Sequence, residues 1–444
     1  MVVAEIGLGL TFLSLVIWLG LLCFRGQFWR IDQRLETIGT ESPLPYPESY
    51  PSVVAVVPAR NEADLLPVTL RSLLMQDYPG SFSVILVDDQ STDGTANVAQ
   101  QIAQDSNKRS QLEILSCAAL PSGWTGKLWA MEQGIRQTQK RTPPPDYFLL
   151  TDADIEHDGT NLGQLVAKAE QGNLDLASVM VLLRCEGFWE QILIPAFVFF
   201  FQKLYPFRWV NDPTNATAAA AGGCILIRRE ALNRIGGIQV VRQALIDDCA
   251  LAQAVKSSSQ VERGREEEGE RGSWGEFSTR PSNKLTNQSP PHPLTPSSSV
   301  KGRIWLGLSS LTRSLRPYPS LGSVWEMVAR TAYTQLNYSP FLLLGTLSGM
   351  TLIYLVPPVG AILGGLMGNW SVAIAGLSGW LLMAWAYFPT LRFYKCSPLL
   401  AFCLPAIAFL YTLMTLDSAV RHWQGRGGAW KGRVYKNAVK PTSF

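Results

Sequence analysis

Two aspartates separated by one alanine, Asp152 and Asp154, stand at the end of an apolar run, Tyr147-Phe148-Leu149-Leu150-Thr151. Such a run reads as a buried strand that delivers its last residues to the C-terminal edge of a sheet, where open α/β sheets bind ligands. Two carboxylates this close suit a hard divalent cation, which commonly arrives with a phosphate. An acidic turn after a strand has the same triplet, so the neighbours decide. A second apolar run, 53–57, ends at Pro58-Ala59-Arg60-Asn61-Glu62. A third, 83–87, ends at Asp88-Asp89 and continues as Gln90-Ser91-Thr92-Asp93-Gly94-Thr95. Carboxylates converging from three strand ends repel unless a cation or hydrogen-bond donors offset them. A nucleotide brings such donors on its ribose and base. Asp93 and Thr95 also fit a helix cap, which leaves Asp88 and Asp89 for a ligand.

Other residues extend the set. Asp247-Asp248 opens a helical stretch, where acids cap the positive end. Beside an acceptor pocket, one of them could instead take a proton from an attacking hydroxyl. Ala218-Ala219-Ala220-Ala221-Gly222-Gly223 precedes them, and backbone so poor in side chains either packs tightly or lets a ligand approach. Lys127 closes Gly123-Trp124-Thr125-Gly126-Lys127, which is neither a phosphate loop nor a dinucleotide fingerprint. It is a candidate for phosphate or sugar, with a solvated surface charge as the bland alternative. Arg313, Arg316 and Arg330 cluster before a long apolar stretch; arginines suit bidentate phosphate contacts, or lipid headgroups beside a membrane. His157 reads as a surface or core residue.

These residues need a scaffold. Strand-like runs at 53–57, 83–87, 147–150 and 304–306 alternate with helical periods at 65–76 and 95–103, which predicts an α/β fold with a parallel sheet. Residues 2–23 are almost wholly apolar and are followed by Arg25, Arg30 and Arg34, the pattern of an uncleaved anchor whose basic side is cytoplasmic. Apolar stretches near 341–366, 372–391 and 399–416 predict further spans. Three crossings would put the basic tail outside, yet its charge favours the inside. Either 341–366 crosses twice, or one segment is re-entrant. An aromatic-rich stretch, 187–210, fits an interfacial helix with Lys203 and Arg208 at headgroup level, or a buried one. The expected layout is an anchor at 1–24, a linker at 25–50, a catalytic domain at 51–338 with a disordered insertion at 257–300, membrane helices at 339–420 and a cytoplasmic tail at 421–444.

Bulk composition agrees. Only 16% of the 444 residues are charged, where about a quarter is usual. The net charge of +3 and the absence of a basic stripe with interleaved aromatics set nucleic-acid binding aside. Seven cysteines are scattered with no Cys-x-x-Cys, the usage of reduced thiols rather than of a zinc site or disulfide framework.

The motifs taken together resemble family 2 glycosyltransferases of GT-A fold: Pro58 to Glu62, Val87 to Thr95, Thr151-Asp152-Ala153-Asp154, and Asp247-Asp248 with Leu251-Ala252. Gly123 to Ala130, Ala221 to Cys224, Ser314 to Tyr318, Met327 to Ala332 and Trp430 to Arg433 are similar to the hopene-associated subfamily. The resemblance implies inverting transfer from a nucleotide sugar, UDP-linked first of all, to a lipid acceptor at the inner membrane. It gives Asp88 or Asp89 to the nucleoside, with Asn61, Glu62, Lys127, Asp152, Arg316 and Arg330 as further donor-site residues. Asp154 with Asp152 would hold Mg²⁺ or Mn²⁺. Asp248 would be the base, with Asp247 standing where the family has glutamate. The Gln-x-x-Arg-Trp of processive synthases is missing, since Arg330 is followed by Thr331; this favours single addition over the alternative of polymer synthesis. A non-catalytic scaffold would have lost Asp154 or Asp248, and both are present.

Overall fold

A computed structural model describes residues 2–36, 50–260 and 300–426, with two short strands at 429–430 and 433–434. The chain begins with helix α1 (Val2–Phe24). Strand β1 (Val53–Ala59) follows, buried along its whole length as a strand covered on both faces must be. Next come α2 (Leu66–Leu74), β2 (Phe82–Asp88), α3 (Thr95–Asp105), β3 (Leu112–Ser116) and α4 (Gly126–Thr138). Then β4 (Tyr147–Thr151), β5 (Ile155–Glu156), α5 (Asn161–Gln171), β6 (Leu176–Leu182), α6 (Phe188–Leu204), the short α7 (Phe207–Asn211), β7 (Cys224–Arg228) and α8 (Arg229–Arg234) lead to α9 (Asp247–Ser257). The two-residue strands β8 (Ser259–Gln260) and β9 (Val300–Lys301) precede β10 (Ile304–Ser314).

The main sheet runs β3-β2-β1-β4-β7-β6-β10-β5. β1 is parallel to both β2 and β4, and β10 is parallel to β6. The expected parallel α/β sheet is therefore present, with β7 inserted antiparallel between β4 and β6. The runs at 112–116, 176–182 and 224–228 complete it. One apolar layer packs α2, α3 and α5 on one face, with Leu70, Leu73, Ile102 and Leu165 in its core. The other face carries α4 and α9, through Leu128, Ile135, Leu251 and Val255. Helix α4 lies close enough that a Cβ on Gly134 would sit 2.5 Å from Val56 Cγ1.

The expected insertion at 257–300 falls mostly on residues 261–299, outside the described residues. Its ends meet: Ser259 pairs with Lys301 and Gln260 with Val300, and the Gly302 N–H donates to the Ser258 carbonyl at 2.9 Å.

After β10 come α10 (Leu321–Ala329), α11 (Ala332–Gln335), α12 (Pro340–Met350), a π turn at Thr351–Leu355, α13 (Val356–Leu366), α14 (Trp370–Phe393) and α15 (Leu404–Trp423). Four helical stretches are long and apolar enough to cross a membrane: Glu5–Phe24, Pro340–Leu366, Trp370–Phe393 and Pro398–Trp423. Pro340–Leu366 is one helical run in which the π turn at Thr351–Leu355 just precedes Pro357 and Pro358, the kind of local irregularity that lets a helix continue past proline. The last stretch differs. It leaves the turn at Cys396, which lies against Cys185 of the α/β domain. The Phe402 carbonyl accepts the Trp380 indole N–H partway along α14. α15 then returns, so that Arg421 pairs with Glu326 and His422 stacks on Tyr338. The two ends of 398–423 thus both lie against elements that adjoin the α/β domain.

Helix α6 is the buried option of the two expected for 187–210. Leu193, Ala196 and Phe199 are fully buried against Tyr387, Leu404 and Tyr411. Lys203 and Arg208 do not both reach outward: the Lys203 ammonium donates to the Tyr354 hydroxyl at 2.8 Å, and Arg208 pairs with Asp32.

Gly134→Ala should lower the thermal unfolding midpoint of the detergent-solubilised protein, since the added methyl overpacks Val56 by about 1–3 kcal/mol. An unchanged midpoint would show that α4 can lift off the sheet freely.

Candidate functional site

The strand ends meet as the alternation of elements requires. β4 delivers Asp152 and, one turn later, Asp154. β1 delivers Arg60, Asn61 and Glu62. β2 delivers Asp88 and Asp89, and β10 ends at Ser314 with Arg316 just beyond. Helices α4 and α9 point their N-terminal turns into the same opening and contribute Lys127, Asp247 and Asp248.

Lys127 joins the two halves. Its ammonium lies 2.9 Å from Asp152 Oδ1 and 3.4 Å from Asp247 Oδ2. The Asp-x-Asp triplet and the acid pair, nearly a hundred residues apart in sequence, therefore share one site. Burial opposes the charge on Lys127, but Asp152, Asp247 and Asp248 outweigh it and hold its pKa above the ordinary lysine value. Burial raises Asp152, Lys127 counteracts this, and Asp154 and Asp247 raise it further.

Asp248 is held by backbone. Gly222 N–H donates to its Oδ2 at 2.9 Å and Cys249 N–H to its Oδ1 at 2.7 Å. Burial and then Asp247 push Asp248 up to about 6, against Lys127 and the two N–H donors. Gly222 approaches the pair closely: a Cβ there would lie 3.3 Å from both Asp248 Oδ2 and Lys127 Nζ. The small-residue run at 218–223 thus includes a tight contact with the acid pair.

A second cation sits opposite. Arg316 Nε donates to Asp154 Oδ2 at 2.8 Å, and its Nη2 to Glu62 Oε1 at 3.1 Å. The Ser314 hydroxyl adds a bond to Asp154 Oδ2 at 3.2 Å. Of the three expected arginines, Arg316 alone reaches these acids. Arg313 pairs with Glu156 on β5, and Arg330 is exposed at the end of α10 with no carboxylate partner among the described residues. Asp88 is partly exposed and accepts the Ser91 N–H at 3.1 Å. Asp89 is fully buried, its carbonyl accepting from Arg60 at 2.6 Å and its Oδ2 3.7 Å from that guanidinium. Of the two, Asp88 is the one open to a ligand.

The Asn61 side-chain oxygen accepts the Thr92 N–H at 2.9 Å, while the Asn61 backbone N–H donates to the Ser91 hydroxyl at 3.0 Å. This clamps the β1 and β2 loops together, with Asn61 in the left-handed region at φ +52°. Asp93 accepts the Thr95 N–H and hydroxyl and the Ala63 N–H, which makes a turn just before the helix rather than the expected cap; the N-cap of α3 is Gly94, with no side-chain cap bond. His157 is a core residue: Thr151 Oγ1 and Asn161 Nδ2 lie 2.9 and 3.1 Å from its ring nitrogens, and burial lowers it to about 4. Sequence reasoning missed Ser314 and the pairing of Arg316 with Glu62. A serine at a strand end carries no signal of its own, and the Glu62–Arg316 contact spans 254 residues.

Among the described residues, no group of three or more His, Cys, Asp or Glu forms a ready metal cage. The Asp-x-Asp pair still fits a hard cation. Asp152 engages Lys127 through Oδ1, and Asp154 engages Arg316 and Ser314 through Oδ2, so each keeps a second oxygen. Magnesium-type sites need only one or two protein carboxylates when substrate phosphates complete the shell.

Lys127→Met should move the Asp248 carboxyl titration, expected near pH 6, to higher pH by removing the cation that favours its ionised form. Isotope-edited infrared spectroscopy, with Asp248→Asn to assign the band, reads the shift. An unmoved or lowered midpoint would contradict the coupling.

Comparison with known proteins matches residues 54–236 to the family model described as glycosyl transferase family 2. The chain is 35% identical over 102 residues to the beta-monoglucosyldiacylglycerol synthase of Synechocystis, which covers 23% of this chain and 19% of that protein. It is 32% identical over 130 residues to the undecaprenyl-phosphate 4-deoxy-4-formamido-L-arabinose transferase of Pseudomonas savastanoi, covering 29% of this chain and 35% of that one. The chain thus spans well under half the length of these curated relatives. Among solved structures it is similar to a mannosyltransferase of Pyrobaculum calidifontis in complex with GDP-Man and Mn²⁺, at 15% identity and a TM-score of 0.47, with 93% of this chain and 99% of that chain covered. The family match covers less than half of the chain and falls on the stretch from β1 to α8 that carries most of the mostly parallel sheet.

Proposed function

We propose that the protein is a membrane-bound inverting glycosyltransferase that moves a sugar from a nucleotide donor to a lipid hydroxyl. The observation that carries this reading is Lys127, which holds Asp152 and Asp247 around one opening. A donor-side acid and an acceptor-side acid are thereby close enough to act on one sugar carbon.

On the donor side, Asp88 and the clamped Asn61 loop receive the nucleoside, with Asp89 and Glu62 behind them. Asp152 and Asp154 offer their remaining oxygens to Mg²⁺ or Mn²⁺. Such an ion, when bound, supplies positive charge to the diphosphate. Lys127, Arg316 and Arg330 are the cations available to the same oxygens. Arg316 is held by Asp154 and Glu62 until a diphosphate competes for it.

On the acceptor side, Asp248 takes the hydroxyl proton. The acceptor oxygen forms its bond to the anomeric carbon from the face opposite the phosphate while the sugar–phosphate bond breaks and the nucleoside diphosphate leaves. Attack from that face inverts the centre. The backbone donors from Gly222 and Cys249 fix the orientation of Asp248, and burial sets its proton affinity close to neutral, where a general base works best.

The lipid acceptor is supported by the apolar helices at both ends of the chain and by α11, which leads directly into α12. It is also supported by the lipid named for each curated relative. Hopanoids and other isoprenoid lipids come first among acceptors because of the subfamily resemblance, and UDP-sugars first among donors. We place the catalytic domain on the cytoplasmic face of the inner membrane, with three crossings and 398–423 re-entrant. That arrangement keeps the basic tail on the same face.

Asp248→Asn should reduce transfer by on the order of 10²-fold or more, while nucleotide binding by calorimetry stays near wild type. Wild-type transfer should itself rise as pH climbs through about 6, because Asp248 must be ionised to accept the proton. Full turnover in the variant would remove Asp248 from this role.

Chelating divalent ions should abolish incorporation of labelled sugar into extracted lipid, with Mg²⁺ or Mn²⁺ restoring it. Mass spectrometry of the lipid product identifies the acceptor. Transfer indifferent to chelator would reduce Asp152 and Asp154 to partners of Lys127 and Arg316.

A further inference from the structure

The scattered cysteines include one pair that the fold brings together. Cys185, just past β6, and Cys396, in the turn after α14, are 211 residues apart in sequence, yet their sulfurs lie 3.6 Å apart. Both are free thiols of intermediate exposure, whereas Cys117, Cys224 and Cys249 are buried and Cys23 and Cys403 are exposed. The pair lies on the seam between the two parts of the molecule. Cys396 packs against both the α/β core and the core of the apolar helices.

We propose that Cys185 and Cys396 form a dithiol modification site, oxidised reversibly to a disulfide that staples the α/β domain to the helical hairpin. A disulfide needs its sulfurs at ~2.05 Å, so closure asks for about 1.5 Å of approach. Both thiols are only partly buried, so their side chains are not fully enclosed on the way to that distance. The oxidant is a low-molecular-weight disulfide. One protein thiolate attacks a sulfur of that disulfide, a mixed disulfide forms, and one small thiol leaves. The second protein thiolate attacks the mixed disulfide, and the second small thiol leaves. The protein thus loses two hydrogens, and the small disulfide becomes two thiols. Cys396 is suited to the first attack: the Cys185 S–H bonded to it holds it below the ordinary thiol range.

The staple bears on the candidate site through a short path. The residues after Cys185 are tied to Glu190, whose Oε2 accepts the N–H groups of Glu186 and Gly187 at 2.9 and 2.8 Å. Oε1 of the same carboxylate accepts the Tyr318 N–H at 2.7 Å, two residues from Arg316. Oxidation therefore fixes the anchor of the arm that carries Arg316.

The test uses the full chain in lipid nanodiscs, incubated with oxidised glutathione, alkylated and digested. Alkylatable thiols should fall from seven to five, with a single peptide pair linked through Cys185 and Cys396 and full reversal by dithiothreitol. Cys185→Ser and Cys396→Ser should each give no linked peptide and instead carry glutathione on the remaining cysteine. Retention of all seven thiols in the wild type would overturn the proposal. So would glutathione on both cysteines without a link, or a link only between separate molecules on non-reducing gels. This readout is independent of sugar transfer.

Discussion

The site depends on one ammonium group between two acids. Asp152 arrives on a strand and Asp247 on a helix N-terminus, and nothing in the chain connects them directly. Lys127 does so by proximity, at 2.9 and 3.4 Å. Without that cation the cluster would be self-repelling, because Asp152, Asp154, Asp247 and Asp248 face one opening and each disfavours ionisation of its neighbours. Arg316 plays the equivalent part for Asp154 and Glu62. Acids still outnumber these two cations. A site built this way gains from a ligand that brings a cation and several hydrogen-bond donors, and it penalises a bare anion.

The apolar helices are part of the same construction. Helix α6 leaves the sheet and buries Leu193, Ala196 and Phe199 among α14 and α15, while its first turn carries Glu190, which anchors the backbone at Tyr318. The arm 314–318 that carries Arg316 is thus tied to a helix that belongs to the core of the apolar helices. The Tyr205 hydroxyl accepts from Gln335 of α11 at 2.5 Å, a second tie across the same seam. The two parts of the molecule are coupled by hydrogen bonds close to the acids, and a change in either part reaches them over a few residues.

Much of this was legible in the sequence, where local chemistry and long-range placement agree. The runs at 53–57, 83–87 and 147–150 are continuous apolar segments ending in acids, and a strand buried on both faces has few other ways to be written. Asp93 and Thr95 announced a turn at the start of α3 by spacing, although the N-cap itself is Gly94. Less legible were features made by tertiary contact. β6 and β7 do not end in an acid pair as β2 does, so the antiparallel insertion of β7 had no local sign. Asp88 and Asp89 look equivalent in a sequence, and only packing turns Asp89 inward. Charge arithmetic raised a conflict over the C-terminal tail and could not choose between a split helix and a returning one. The Cys185–Cys396 approach was likewise invisible, because cysteine spacing carries no information across 211 residues.

The pairing of β8 with β9 has a practical side. Gln260 and Val300 are already neighbours, fastened by their own ladder and by the Gly302–Ser258 bond. Whatever length of chain joins them, the rest of the domain meets the same two anchored ends. Loop-closure entropy is forgiving here, since each doubling in length costs only about 0.6 kcal/mol. The position is therefore a natural port, where a fluorescent reporter or affinity handle could be spliced without altering the register of β10.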